Sequence, residues 1–211
     1  MKITTEEIFW KTKFGNEYSE RNYRSNKELD DFYIKHLGVT RSKLNKDFLG
    51  KLKINNILEV GCNVGNQLVL LQSQGFRNLY GIEINDKAIE ISKHTSNNIN
   101  IIQGSGFDIP FKDSYFDLVF TSGVLIHTNP KNIKRLMSEI YRVSKKYIWG
   151  GVEYYNDSCT SINYRDNKNR LWKGNFAKMY LDLFPNLKSI KEKKYELIKN
   201  EVWSSFLLKK I

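Results

Sequence analysis

Residues 57–60 read Ile57-Leu58-Glu59-Val60 and run directly into Gly61. A short apolar run closed by glycine is the pattern of a strand buried on both faces that reverses at once. Helical spacing over 67–74, stopping at Gly75, follows it. The unit then repeats. Strands are predicted over 79–83, 99–103 and 116–120, with a helix over 87–95 for which Asp86 is the N-cap. Beyond Pro130, the residues Ile133, Leu136, Met137, Ile140 and Tyr141 share one helical face, and Tyr147-Ile148-Trp149 opens a fifth strand. Strand and helix alternating through 55–155 predict a doubly wound α/β sheet.

The flanks differ. Residues 1–54 are polar and aromatic without a strand pattern, and read as two or three short helices forming an N-terminal lid segment. Residues 55–211 are expected to form the main domain, interrupted by a polar stretch at 156–178 and closed by a pair of strands from about Tyr195 onward. A chain of 211 residues with 40% apolar side chains is long enough to bury a core without disulfides. Cys62 and Cys159 form no CxxC pair that would argue for zinc, and no metal is expected. Glu6, Glu7 and Trp10 interrupt any signal-peptide pattern, and no apolar run approaches a membrane span of about 20 residues, so a reduced, cytoplasmic protein without membrane insertion is expected. The net charge of +11 is compatible with nucleic acid, an anionic surface, a small acidic substrate, or a solvated basic exterior.

The turn after the first strand carries the chemistry. Gly61-Cys62-Asn63-Val64-Gly65-Asn66 fails the dinucleotide pattern GxGxxG, having Asn at positions 63 and 66. Asn63 nonetheless suits a tight turn, because asparagine tolerates the left-handed region. The helix that follows offers N–H groups and a positive dipole end. Glu83, at the end of the second strand, is placed to accept a pair of ribose hydroxyls. The alternative is a plain glycine turn with a solvent-facing carboxylate.

Together these segments resemble a class I S-adenosylmethionine-dependent methyltransferase. The resemblance implies a Rossmann-like, mostly parallel seven-stranded sheet with a C-terminal antiparallel strand and helices on both faces. It implies S-adenosylmethionine as cofactor, held by Glu59, Gly61, Asn63, Gly65, Glu83 and Ile84. Residues 104–111 resemble the family's third motif, with Ser105 where an Asp is common, so adenine contact would rest on the Ser105 hydroxyl and the N–H groups of Gly106 and Phe107. Residues 116–127 resemble the motif lining the methyl-transfer site, including Ser122 and Gly123. More narrowly, Trp10, Phe14-Gly15, Tyr18 and Arg21-Asn22 resemble the WxxxFGxxYxxRN signature of the pseudaminic acid biosynthesis-associated methylases, as do Asn129-Pro130, Glu153-Tyr154-Tyr155-Asn156 and Arg170-Leu171-Trp172-Lys173-Gly174. That resemblance implies an acidic sugar or sugar nucleotide as acceptor, in surface-glycan biosynthesis.

Methyl transfer from a sulfonium is an in-line displacement, so alignment and proton removal dominate. His127, just past the fourth strand, is the candidate base, with an ordinary pKa near 6.5; the alternative is a histidine bonded to nearby backbone. Glu153 is the second choice. Tyr18 and Arg21 share a helical face and are expected to reach the cofactor. Tyr154, Tyr155, Tyr164, Arg165, Arg170 and Lys173 are expected to hold a small anionic acceptor. His36 and His94 read as surface residues. The chain lacks NPPY-like, HExxH and GxSxG segments. Competing readings are an RNA or protein methyltransferase, disfavoured by the lack of a nucleic-acid-binding motif, a non-catalytic S-adenosylmethionine-binding protein, and a nicotinamide oxidoreductase, against which the missing glycines count. The oligomeric state is left open. Lys and Arg gather at 41–53, 131–146, 165–178 and 188–210, of which only 165–178 is read as functional and the others as solvated surface.

Overall fold

Four helices, rather than two or three, precede the first strand in the computed structural model, which describes residues 3–196 and 201–211. They are α1 (Thr5–Lys11), α2 (Lys13–Asn22), α3 (Asn26–Leu37) and α4 (Arg41–Leu49). Local capping sets their number. Thr4 with Glu7, and Ser25 with Glu28, form capping boxes, and the Thr40 hydroxyl accepts from the Lys43 N–H. Thr12 is extended, ending α1 and preceding α2.

The chain divides into two compact units, Met1–Pro110 and Phe111–Ile211. In the first, β1 (Asn56–Val60), α5 (Asn66–Ser73), β2 (Asn78–Glu83), α6 (Asp86–Thr95) and β3 (Asn100–Gln103) follow the predicted alternation. β1 pairs with β2, and β2 with β3, all parallel. The cap of α6 is Asn85 and not Asp86: the Asn85 side chain accepts from the Ala88 N–H at 2.8 Å, and Asp86 is already helical. Leu44, Leu49, Ile57, Leu58, Leu68 and Leu79 make the centre of this core.

The second unit holds β4 (Phe116–Thr121), a 3₁₀ turn at Leu125–His127, α7 (Pro130–Val143), β5 (Ser144–Tyr155), β6 (Thr160–Tyr164), β7 (Asn167–Lys173), α8 (Phe176–Leu183), β8 (Leu187–Glu196) and β9 (Val202–Lys210). β5 begins three residues earlier than predicted. The closing strand pair exists, but its first member starts at Leu187. Phe116, Phe120, Trp149, Ile140, Tyr180 and Phe206 form the core, and the Trp149 indole N–H donates to Ser205 Oγ at 3.0 Å.

The strand order is β3-β2-β1-β4-β5-β9-β8 in one seven-stranded sheet. β4 runs parallel to β5, while β9 runs antiparallel to both β5 and β8. This is the expected Rossmann-like arrangement with its one antiparallel strand. Lys188, Lys191, Lys193 and Lys194 are exposed on the edge strand β8, which protects an open sheet edge from pairing with other chains. Part of the positive charge is therefore solvated surface, as read. Arg41 is an exception: it belongs to a cluster read as solvated, yet is fully buried. Among the described residues, no helix is long and apolar enough to cross a membrane.

Candidate functional site

The turn after β1 has the conformation its sequence requires. Asn63 sits at φ 48° and Gly65 at φ 82°, both left-handed. A Cβ on Gly65 would also lie 2.7 Å from Ser96 Oγ and 3.0 Å from Ile101 Cδ1, so no side chain is tolerated there. Glu83 ties this turn to the end of β2. Its Oε2 accepts from the Asn63 N–H at 2.8 Å, and its Oε1 from the N–H groups of Ile84 and Asn85 at 2.7 and 2.8 Å. A carboxylate has about four acceptor positions, so Oε2 keeps capacity for one further donor. Burial pushes the Glu83 carboxyl above its ordinary pKa, against the pull of the three N–H groups. Glu59, inside β1, is 2% exposed, and its Oε2 lacks a hydrogen-bond partner.

The two asparagines that broke the glycine pattern hold the N-terminal helices. Asn63 Nδ2 donates to Ser19 Oγ at 2.8 Å, and Asn22 Nδ2 donates to Asn63 Oδ1 at 3.3 Å. Asn66 Nδ2 donates to the Asn22 carbonyl at 2.7 Å, and Asn66 Oδ1 accepts from the Arg24 N–H at 3.3 Å. The C-terminal half of α2 thus lies against the turn through Ser19 and Asn22. Tyr18 packs edge-on to Trp10 at 5.3 Å, and exposed Arg21 lies over the Tyr18 ring at 5.5 Å. Ser19 was not singled out from sequence, and Asn66 only as a departure from the glycine pattern. Their signal was available in part: Ser19 is the small residue one helical turn after Gly15, a position that close packing demands.

Ser105 differs from expectation in its partners. Its hydroxyl donates to the Glu7 carboxylate and accepts from the Phe107 N–H at 3.0 Å. A hydroxyl and a backbone donor expected to face a ligand thus satisfy each other and a helix α1 carboxylate. Gly106 is half-buried and Phe107 buried. Ser105→Asp would set a second carboxylate against Glu7. We expect a loss of about 1–3 kcal/mol near neutral pH, relieved in the Glu7→Gln background and read from thermal melts.

In the second unit, Glu153 is fully buried on β5. Its Oε1 accepts from Thr121 Oγ1 at 2.9 Å and the Val124 N–H at 3.3 Å; its Oε2 accepts from the Ile126 N–H at 3.3 Å. These bonds fix the segment 121–127, which includes half-buried Ser122 and Gly123. Burial pushes the Glu153 carboxyl up to about 7 despite those donors. His127 follows on the same segment. Its Nδ1 lies 2.7 Å from the Arg170 carbonyl. A carbonyl only accepts, so this contact assigns the proton of the neutral ring to Nδ1 and makes Nε2 the basic nitrogen. Burial lowers the His127 pKa to about 4, well under the value expected from sequence.

The polar interruption at 156–178 is chiefly the hairpin β6–β7, followed by the start of α8. Arg165 and Asp166 form its turn with φ 48° and 64°. Tyr164 brings its ring to 4.7 Å from the His127 ring, and Arg165 lies over Tyr164 at 5.8 Å. Arg170 joins this group through its carbonyl. Tyr154, Tyr155 and Lys173 have other neighbours: Lys173 pairs with Glu201 at 2.8 Å, Tyr154 packs edge-on to Trp203 at 5.1 Å, and Lys194 sits over the Tyr155 ring at 3.6 Å. His127 and Tyr164 are therefore one group, with Arg165 over Tyr164 and Arg170 joined to it through its backbone carbonyl, and the Lys173 charge is already matched.

The second unit holds the His127–Tyr164 ring pair, and the first holds a left-handed turn with the buried carboxyls Glu59 and Glu83. Residues 58–147 match the family model described as a methyltransferase domain. Sterol 24-C-methyltransferase erg-4 of Neurospora crassa is 25% identical over 165 residues, which cover 72% of this chain and 42% of that protein. The chain likewise spans only 30% and 40% of two further sterol 24-C-methyltransferases, from Pneumocystis carinii and Gibberella zeae. Among solved structures, magnesium protoporphyrin IX methyltransferase of Synechocystis with bound S-adenosylhomocysteine superposes with a TM-score of 0.69 at 13% identity, covering 97% of this chain and 98% of that one. A SAM-dependent methyltransferase from Methanosarcina mazei gives 0.61 at 19% identity, covering 77% and 95%. The same Synechocystis enzyme with bound S-adenosylmethionine gives a TM-score of 0.65 at 13% identity, covering 100% of both chains. The fold is the Rossmann-like fold of these solved structures, and the match to the methyltransferase domain model is confined to residues 58–147.

Proposed function

We propose that this chain transfers the methyl group of S-adenosylmethionine to a hydroxyl or amine of a small anionic acceptor, an acidic sugar or sugar nucleotide of surface-glycan biosynthesis. The cofactor supplies the electrophilic methyl on its sulfonium. Several features of the first unit fit that cofactor. Glu59 offers a buried oxygen without a partner, suited to the α-ammonium; Glu83 keeps acceptor capacity for a ribose hydroxyl; the left-handed turn at Asn63 and Gly65 keeps side chains out of the way. Tyr18 and Arg21 lie on α2, the helix that meets this turn through Ser19 and Asn22.

The observation that carries the acceptor side is the grouping of His127, Tyr164, Arg165 and Arg170. Nε2 of His127 takes the proton of the attacking hydroxyl or amine as the new bond forms. The Tyr164 ring packs on a sugar face, and the arginines bind its carboxylate or phosphate. Glu153, fully buried and bonded to Thr121, Val124 and Ile126, holds the segment bearing Ser122, Gly123 and His127.

Incubation with methyl-labelled S-adenosylmethionine and a panel of nucleotide-activated acidic sugars tests this reading. A labelled product with one added methyl is the expected result, at least tenfold more from acidic than from neutral sugars. Labelling of RNA or protein and none of the panel would replace it, as would tight cofactor binding without turnover on any extract.

A further inference from the structure

Two of the residues that hold Glu83 also hold the N-terminal helices. Glu83 Oε2 accepts from the Asn63 N–H and Oε1 from the Asn85 N–H, each at 2.8 Å. The side chains of the same two asparagines bond α1 and α2. Asn63 Nδ2 donates to Ser19 Oγ at 2.8 Å, and its Oδ1 accepts from Asn22 Nδ2 at 3.3 Å. Asn85 Nδ2 donates both to the Trp10 carbonyl and to Asn16 Oδ1, each at 2.8 Å, while its Oδ1 caps α6. Asn85 and Ser19 are buried. Gly15 permits this approach: a Cβ there would lie 1.9 Å from the Trp10 carbonyl oxygen and 3.0 Å from Asn85 Nδ2.

Glycine at position 63 would supply the φ of 48° without strain, but only a side chain can bond α2. A non-glycine residue in the left-handed region persists where its surroundings over-determine it. Here Glu83 fixes the N–H of Asn63 and α2 fixes its amide. Lifting α1 and α2 off the turn strips both asparagines of their side-chain partners and loosens the N–H groups that orient the Glu83 carboxylate. We propose that Asn63 and Asn85 are positioning residues for the cofactor: through them, the seating of α1 and α2 and the engagement of ribose hydroxyls by Glu83 favour each other. Such a link acts equally in both directions. It deepens the cofactor reading above and rests on it.

Two ligands isolate the ribose. S-adenosylhomocysteine carries both hydroxyls; its 2′,3′-dideoxy analogue has the same base, sulfur and amino-acid end without them. Calorimetry gives the affinity of the full chain for each, and hydrogen exchange follows the amides of α1 and α2 at saturation. Coupled sites typically change each other's affinity by about 5–150-fold. In the wild type, S-adenosylhomocysteine should therefore slow exchange in α1 and α2 about fivefold or more beyond the analogue. Asn63→Gly keeps the turn and its N–H, and Asn85→Ser keeps a good helix cap, yet each cuts the bonds to the helices. In each variant the extra protection should vanish, and the ratio of the two affinities should fall about fivefold or more. Ser19→Ala cuts the Asn63 bond from the helix side, where alanine is a good helix former, and should act in the same direction without touching the turn. Equal losses for both ligands, an unmoved ratio, or protection by the analogue as strong as by S-adenosylhomocysteine would overturn the proposal. Each asparagine stands or falls by its own variants. Glu83→Gln reports on the underlying reading: if it leaves the ratio unchanged, Glu83 does not hold the ribose, whereas a ratio abolished there but kept in the asparagine variants removes the link alone.

Discussion

Replacing Glu153 by alanine is expected to cost about 3 kcal/mol and to lower the melting temperature by roughly 10 °C. The substitution removes one acceptor group and strands three donors, the Thr121 hydroxyl and the N–H groups of Val124 and Ile126, in a place water does not reach. Each buried donor left without a partner costs about 1–3 kcal/mol. The two backbone bonds are long at 3.3 Å, which keeps the total at the lower end. The loss also depends on pH. The folded pKa of about 7 lies above the ordinary carboxyl value, so the group's stabilising contribution is complete below about pH 4.5 and fades as the pH rises through 7. Melting curves at pH 5 and pH 8 should therefore show the larger gap between wild type and Glu153→Ala at pH 5. A gap that grows with pH would mean that the carboxylate, and not the acid, is the form the fold prefers.

His127→Ala is expected to slow methyl transfer about 100-fold at saturating cofactor and acceptor while leaving S-adenosylhomocysteine binding unchanged. General bases contribute about 10²–10⁴-fold, and a nitrogen with a pKa of about 4 is a weak base, which places this residue at the low end. The same value makes the wild-type rate flat from about pH 5.5 to 8 on this side of the profile, with a fall only as the ring protonates near 4. Stability follows the matching sign: the depressed pKa stabilises the fold above about pH 6.5, and that contribution disappears as the pH drops through 4. Single-turnover kinetics with the labelled cofactor separates the two effects. An unchanged single-turnover rate would remove His127 from the chemistry and leave it as a prop for the β6–β7 hairpin.

The sheet was legible in the sequence because parallel strands buried on both faces must be short apolar runs, and Ile57-Leu58-Glu59-Val60 is one. The turn was legible through Asn63, since few residues accept its φ. The hairpin β6–β7 was not. Its turn is built on Arg165 and Asp166 in the left-handed region, where Asn-Gly or Asp-Gly would have announced it. Long-range partners were equally hidden. Glu7 was read only as a break in any signal-peptide pattern, yet it caps α1 and its second oxygen meets Ser105. Arg41 lay in a Lys- and Arg-rich stretch that pattern alone assigns to solvent, and only the fold shows Tyr33 and Asn45 bonded to it. The asparagines at 63 and 66 were read as departures from a glycine rule. They are better understood as the residues by which the turn grips α2.

Strand β9 has a consequence for how the second unit is made. It is inserted between β5 and β8, antiparallel to both. Synthesis proceeds from the N-terminus, so β4, β5 and α7 emerge from the ribosome well before the strand that covers the open side of β5. Until then a row of main-chain donors and acceptors on β5, flanked by the apolar faces of Ile148 and Trp149, stays unpaired. Assembly of this half is thereby post-poned to the arrival of β9, and a nascent chain stalled short of residue 202 would expose a sticky strand to its neighbours on a polysome.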